Sequence, residues 1–481
     1  MRKIPRKWAA ALAPALLLGG VVATAVPADA APPPSCPSPI VSGDMVLCGS
    51  LADGATYLIE VPANWNKTLF LYSHGYVVPG SANPATDVGD PVTGAWLLTH
   101  GFALAGSSYS LTGWALAAAL PDQDATLHTF AKLVGKPKHT IAWGHSLGGI
   151  ITAGLIQRFP RAFDAALPMC GVLAGGVETW NTALDAAFAF QQLVDPKVSV
   201  VRFTDAGPNL AEAETAIASA QNTAVGKARI ALGAALGDTP GWFTPLSPEP
   251  AADDFATQEA NQFAWDANVD FPFVFAFRQQ LEALAGGNPS WTTGVNFREQ
   301  LARSVDAREV RALYKAAGLS LRDDLRTLQR ATKIKADPAA VKYLAQNIAF
   351  TGKIRIPVLS IHTTGDGLVV PENEQAYAAA VHRAGDSRKL RQLFIARAGH
   401  CAFTPAETIE SVKMLLFRMR TGHWNDLALR PARMNASAAA LGAADNIFVS
   451  GGKVVPVAPA FTRFNPKPYL RPFDLSPRFH P

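Results

Sequence analysis

The chain has 481 residues, 49% of them hydrophobic and 17% charged, with a formal net charge of +5. This is an ordinary soluble composition, long enough for a large core plus a second module. The charge makes no case for nucleic acid, because no Lys/Arg cluster stands out along the sequence.

The first residues do not belong to that core. Arg2, Lys3, Arg6 and Lys7 form a basic start, Trp8 to Val26 an apolar run, and Ala28-Asp29-Ala30 the small-x-small pattern read by signal peptidase. The pattern predicts a signal peptide over residues 1–30, cleaved after Ala30, rather than a retained membrane anchor. The expected product is secreted and extracellular, with no stable membrane insertion. Losing four cations and one anion leaves a net charge of +2.

Four cysteines follow: Cys36, Cys48, Cys170 and Cys401. An even count in an exported chain favours disulfides, and three pairings are possible. No cysteine–histidine spacing resembles a zinc site, and none of these residues is expected to hold a metal.

The β-forming stretches Thr56–Pro62 and Thr68–Ser73 read as strands, the second running into His74-Gly75. Phe102–Gly106 is a third. Residues 121–134 predict a helix, with Pro121 near its start, Leu127, Phe130, Leu133 and Val134 on one side, and Gly135 as the stop. An apolar strand then leads to Ser146, a helix leads away, and Phe163–Met169 is the next strand. This alternation predicts a mostly parallel sheet with helices on both faces, an α/β fold. The rhythm stops near Gly175-Gly176. Residues 177–345 read as mainly helical, with segments at Leu184–Leu193, Ala211–Leu236, Pro272–Ala285 and Val310–Ala317. Strands return at Ile356–His362 and Leu390–Ile395. The organisation expected is a first core segment (31–176), a helical cap (177–345), a second core segment (346–430) and a tail (431–481). The tail reads as an extended wrap with a small hairpin around Gly451-Gly452.

The chemistry gathers at Gly144-His145-Ser146-Leu147-Gly148, a G-x-S-x-G pattern between a strand and a helix. A side chain at a sharp turn needs glycines beside it, and the helix N-terminus that follows favours developing negative charge. Alone, the pattern fits an N-cap serine equally well. Two further features fit chemistry better. Serine needs a base, and the base needs an orienting acid. Asp366 follows one predicted strand and His400 follows the last, in the chain order Ser, Asp, His. The natural oxyanion donors are the backbone N–H groups of Leu147 and Tyr76, the latter in the loop after the Thr68–Ser73 strand.

With these motifs in place, residues 56–175 and 350–420 resemble the α/β-hydrolase superfamily. The resemblance rests on His74-Gly75-Tyr76, Gly144-His145-Ser146-Leu147-Gly148-Gly149, Gly365-Asp366 and Gly399-His400. It implies Ser146 as nucleophile, Asp366 as orienting acid and His400 as base, an acyl-enzyme hydrolysed by water, and no metal or organic cofactor. The nucleophile turn looks most like the secreted lipase/esterase branch. Proline and tripeptidyl aminopeptidases of the superfamily also carry helical caps, but more often place an aromatic after the serine, where this chain has Leu147. Some tannase and feruloyl-esterase relatives tie the serine and histidine loops with a disulfide. Here Trp143 and His145 are not cysteines, so the local version expected is a Cys170–Cys401 bridge.

The cap is rich in aromatics, among them Trp180, Phe190, Phe271, Phe273, Phe275 and Phe277, and Phe273, Phe277 and Leu281 share a helical face. Most should form cap core, with a few lining an apolar acyl or aryl pocket. The sequence therefore predicts a secreted serine hydrolase of small or polymeric carboxylic esters of apolar or aromatic acids. A peptidase of the same superfamily is the first rival. It would need cap carboxylates to hold an amine, and Glu178, Glu212, Glu214, Asp253, Asp254 and Glu259 are the candidates. A non-catalytic surface binding protein is the second. Oligomeric state is not legible.

Overall fold

A computed structural model describes residues 36–450 and 453–473; the predicted signal peptide lies outside them. Nine strands form one sheet: β1 (Met45–Ser50), β2 (Thr56–Val61), β3 (Thr68–Ser73), β4 (Phe102–Ser107), β5 (His139–His145), β6 (Ala165–Met169), β7 (Val358–Gly365), β8 (Leu390–Ala398) and, after a separate hairpin of β9 (Ile447–Ser450) and β10 (Lys453–Pro456), the short β11 (Phe461–Thr462). Their order is β1-β2-β4-β3-β5-β6-β7-β8-β11. The strands from β4 to β8 run parallel, and the two ends of the sheet are antiparallel.

The parallel centre follows from its composition. Leu69, Phe70, Leu71, Ile141, Ala142 and Trp143 are fully buried, so both faces of β3 and β5 need cover. On one face lie the helices Leu116–Leu133, Leu147–Arg158 and Glu372–Arg383, packed through Leu116, Phe130, Ile150, Ile151, Tyr377 and Val381. On the other lie Pro91–Thr99 and Pro405–Thr421, packed through Leu97, Leu98, Val412 and Leu415. Each such buried Leu or Ile is worth roughly 1.5–3 kcal/mol.

Between β6 and β7 the chain leaves the sheet for a helical insert running from Gly176 to Asn347. It has a core of its own, including Phe188, Leu232, Phe297, Val310, Tyr314 and Leu328. Its longest continuous run, Phe255 to Ala285, contains widened π-type turns at Asp266–Asp270 and Phe273–Phe277. Pro272 sits between them. It has no N–H to donate, and the helix absorbs the gap by widening rather than breaking.

Several elements differ from expectation. The helix predicted over 121–134 begins at Leu116 and carries Pro121 in its interior. Burial of Leu116, Ala119 and Leu120 outweighs one missing hydrogen bond. The single helix expected over Ala211–Leu236 is two, Ala206–Ala220 and Ala224–Gly237, because Thr223 accepts from the Gly226 N–H and restarts the helix as its cap. Strand β1 was not expected; it is half-buried at the sheet edge and lacks a clear alternation. The tail is not simply an extended wrap. It opens with the helix Pro431–Ala439, forms the β9–β10 hairpin, and adds β11 to the edge of β8. It then crosses to the insert, where Tyr469 and Leu470 are buried and Arg471 pairs with Asp185 at 2.5 Å.

Disulfides join Cys36 to Cys48, which lies on the edge strand β1, and Cys170 to Cys401. Among the described residues no helix is long and apolar enough to cross a membrane.

Candidate active site

Strand register decides what meets at the carboxyl edge of the sheet. Ser73 pairs with Gly144, His145 with Met169, and Gly365 with Ala398. The residues just past these pairs are His74, Ser146, Cys170, Asp366 and, two further on, His400. Five strand ends thus deliver their loops to one place.

Ser146 sits on the turn with φ 57° and ψ −121°, a conformation that L-residues rarely adopt. The two motif glycines make the turn possible. A Cβ on Gly144 or Gly148 would overlap the Ser73 carbonyl oxygen. The Ser146 N–H is tied to the Met169 carbonyl at 3.0 Å, and the helix begins at Leu147. Its first N–H groups have no intrahelical acceptor and face the serine end. Cys170 and Cys401 also have positive φ, 43° and 53°, so unusual backbone is concentrated at this edge.

The Ser146 hydroxyl donates to His400 Nε2 at 2.7 Å, and His400 Nδ1–H donates to Asp366 Oδ2 at 2.8 Å. Asp366 is fully buried, and its other oxygen accepts from the Val369 N–H at 2.9 Å. Burial works against the Asp366 anion. The charges and hydrogen bonds of His400 and His362 outweigh it and hold the carboxyl below its usual range. The His400 loop is pinned from several sides. Thr363 Oγ1–H donates to the Gly399 carbonyl, the Gly399 N–H donates to the Gly365 carbonyl, and Cys401 is bonded to Cys170. The sulfurs of Cys170 and Cys401 approach His400 closely enough to suggest a metal set. Joined to each other, they are not the thiolates that a metal would need.

Arg397 braces the same loop from below. Its guanidinium, 2% exposed, donates to both oxygens of Glu407 at 2.7 and 3.0 Å and to the Ala402 carbonyl. Glu407 in turn completes a capping box with Thr404 at the start of the Pro405–Thr421 helix.

Tyr76 follows Gly75, which lies against the Ser146 side chain. The Tyr76 ring packs on Phe273 and Phe277 of the insert, at centroid distances of 4.9 and 5.9 Å. The predicted face of Phe273 and Phe277 therefore meets the loop beside the serine, whereas Leu281 is buried in the core. Above the serine is a cavity of about 140 Å³. Ser146 and Leu147 lie at its base, and Tyr76, Trp114, Trp180, Phe190, Phe271, Phe273 and Phe275 contribute to an apolar wall.

The carboxylates on the cavity are Asp266 and Asp270, both on a widened turn of the insert. None of the six amine-holding candidates lines it. Glu212 pairs with Lys197, Asp254 caps a helix, and Glu178 and Glu259 are buried elsewhere. Burial, and then Glu259, push Asp266 up to about 8; burial, and then Asp266 and Asp366, raise Asp270. Sequence reading also missed Tyr469, which the tail brings to the cavity wall, and His362 with Glu374 behind Asp366.

No family model matches the chain. It is 26% identical over 430 residues to an o-phthalyl amidase of Xanthobacter agilis, covering 82% of this chain and 90% of that protein. Among solved structures it is similar to feruloyl esterase B from Aspergillus oryzae, with 10% identity, 80% and 82% of the two chains covered and a TM-score of 0.40. It is also similar to the rice cell wall degrading esterase LipA from Xanthomonas oryzae, with 13% identity, 74% and 83% covered and a TM-score of 0.32.

Proposed function

We propose that this chain, whose largely parallel sheet carries Ser146, His400 and Asp366 at its carboxyl edge, is of the α/β-hydrolase superfamily and is a secreted serine hydrolase cleaving carboxylic esters of apolar or aromatic acids. The observation that carries the reading is one continuous chain of contacts, from the Ser146 hydroxyl through His400 to the buried Asp366, at the base of an aromatic cavity.

In this mechanism His400 Nε2 takes the hydroxyl proton as Ser146 Oγ bonds to the acyl carbon. Asp366 stabilises the imidazolium and fixes its tautomer. The carbonyl oxygen becomes an oxyanion, held by the N–H groups of Leu147 and Tyr76 and by the helix that begins at Leu147. Collapse breaks the bond to the alcohol, which leaves with the proton from Nε2. Water then attacks the acyl-Ser146 ester, giving a proton to His400 Nε2; collapse breaks the acyl–Oγ bond, Ser146 Oγ takes that proton back, and the acid departs. Every step uses protein groups and water. The insert, acting as a cap over residues 177–345, supplies the acyl pocket. The two disulfides support an oxidising, extracellular destination.

A second reading is favoured by the 26% identity to an o-phthalyl amidase: the scissile bond is an amide of an aromatic acid. The same groups perform it, with His400 protonating the departing nitrogen.

A panel of nitrophenyl esters of aliphatic and aromatic acids, aryl-acyl anilides and aminoacyl anilides separates the readings. Ester turnover led by aromatic acids, abolished in Ser146→Ala, is expected. Turnover confined to aryl-acyl anilides selects the amidase, and turnover confined to aminoacyl anilides selects a peptidase. No turnover and no fluorophosphonate labelling of Ser146 would reject catalysis at this site.

A further inference from the structure

The hydrogen-bonded chain does not end at Asp366. His362, fully buried on β7, places Nε2 3.5 Å from Asp366 Oδ2, the same oxygen that accepts from His400. Its protonation state follows from its partners. Nε2 lies 2.7 Å from the Val369 carbonyl, which can only accept, so Nε2 carries a proton. Nδ1 lies 3.2 Å from Glu374 Oε1. The Glu374 carboxyl is itself surrounded by donors. Oε2 accepts from the Ser360 hydroxyl and from the Gln392 amide, whose NH₂ end is fixed because it also donates to the Glu374 backbone carbonyl at 2.8 Å. With Oε2 filled by these two donors, Oε1 is left to accept from His362 Nδ1–H, so both imidazole nitrogens carry a proton.

We infer that His362 is a permanently protonated positioning residue, a buried imidazolium that holds Asp366 ionised and in register and moderates its pull on His400. The inference rests on the proposed roles of Ser146, His400 and Asp366.

The other groups around His362 agree. Burial opposes its charge, but hydrogen bonds and charges from Asp366 and Glu374 push its pKa up to about 10. Glu372, on the same helix as Glu374, is held protonated by burial and then by Asp238, and adds no compensating charge. The cluster at neutral pH is therefore two carboxylates flanking one cation, with His400 on the open side. Remove the cation, and His400 faces a bare carboxylate. Its imidazolium is then favoured, so the base protonates at higher pH.

The decisive variant is His362→Gln, which keeps a donor of similar reach without the charge. In the folded enzyme the acid limb of the kcat/KM profile should move up by about one pH unit, as expected for loss of a unit charge one carboxylate away. KM should hold while kcat falls at pH 6. A merely structural histidine would change amplitude and leave the limb where it was, and that result overturns the inference.

A second readout does not depend on the variant folding. Histidine ¹⁵N NMR of the wild-type protein should show one imidazole with both nitrogens protonated and no titration from pH 6 to 9. A spectrum in which every histidine is neutral at pH 9 overturns it. The two readings fail separately. If wild-type Ser146 resists fluorophosphonate, the hydrolase roles fall, while the NMR result still decides the state of His362.

Discussion

Buried charge is handled differently in two facing regions. Around the ends of β7 and β8, each buried charge described above has an opposite partner: Arg397 has Glu407, and His362 has both Asp366 and Glu374. On the insert, burial first, joined by a neighbouring carboxyl for all but Asp238, raises the pKa values of Asp238, Asp266, Asp270, Asp306 and Glu309, and none of them forms an ion pair with a cation among the described residues. The first arrangement fixes atoms, because a paired buried charge is costly to displace. The second raises carboxyls by burial, which favours their neutral form, and a neutral carboxyl can donate or accept hydrogen bonds without a counter-charge. The sheet edge holds one geometry, and of the second kind of carboxyl Asp266 and Asp270 reach the cavity wall.

The largest effect that can break this contrast is catalytic. Asp366→Asn keeps the shape but leaves His400 without a carboxylate, favouring the wrong tautomer. On the proposed mechanism, kcat/KM for the best ester should fall roughly 10³–10⁴-fold. Asp270→Asn on the insert should change substrate preference and cost about tenfold or less. Equal losses at the two positions would show that the insert carboxyls take part in the chemistry itself.

Next in size is stability. Arg397→Ala would leave Glu407 charged, buried and unpaired, at a cost of about 3–5 kcal/mol in urea unfolding. It would also loosen the Ala402 carbonyl next to the His400 loop. Arg303, which joins the insert to the tail through the Tyr469 carbonyl, is less enclosed, and its loss should cost about 1 kcal/mol. A cost below 1 kcal/mol at Arg397 would remove the claim that pairing fixes this edge.

The same contrast decided what could be read from the sequence. The serine turn was legible because its glycines answer a local clash with Ser73, and the alternation of strands and helices required a parallel sheet. The meeting of Ser146, Asp366 and His400 could be anticipated because chain order and strand ends are one-dimensional features. His362 and Glu374 were not legible as partners. Their contact depends on how the Glu372–Arg383 helix packs back on β7, and neither residue sits in a local pattern. Asp266 and Asp270 were passed over for acidic residues that turned out to lie elsewhere, because the widened turns around Pro272 rotate that face of the helix in a way that regular periodicity does not encode. Tyr469 was hidden by a proline-rich tail whose path is set entirely by tertiary contacts such as Arg471 with Asp185. The broken helix at Thr223 was readable in principle from its cap, but the alanine-rich flanks masked it.

The smallest effect is a dependence of stability on pH. Burial first, then neighbouring carboxyls, push Asp306 up to about 8 and Glu309 to about 9, and burial pushes Asp238 to about 7. In the unfolded chain these groups ionise near pH 4. Between those limits the folded insert holds more protons, so stability falls as pH rises. His145 does the opposite. Burial, and then His400, lower it to about 4, so it adds stability as pH rises from 4 to 6.5 and nothing beyond. Above pH 6.5 the insert carboxyls therefore act without that opposition, and His362 loses stability in the same direction as pH climbs toward 10. The thermal midpoint should drop by roughly 3–5 °C from pH 6.5 to 9. Asp306→Asn, which has no proton to lose, should flatten the slope. A midpoint that rises across this window, or a slope unchanged in Asp306→Asn, would mean that the insert carboxyls are ionised and paired after all.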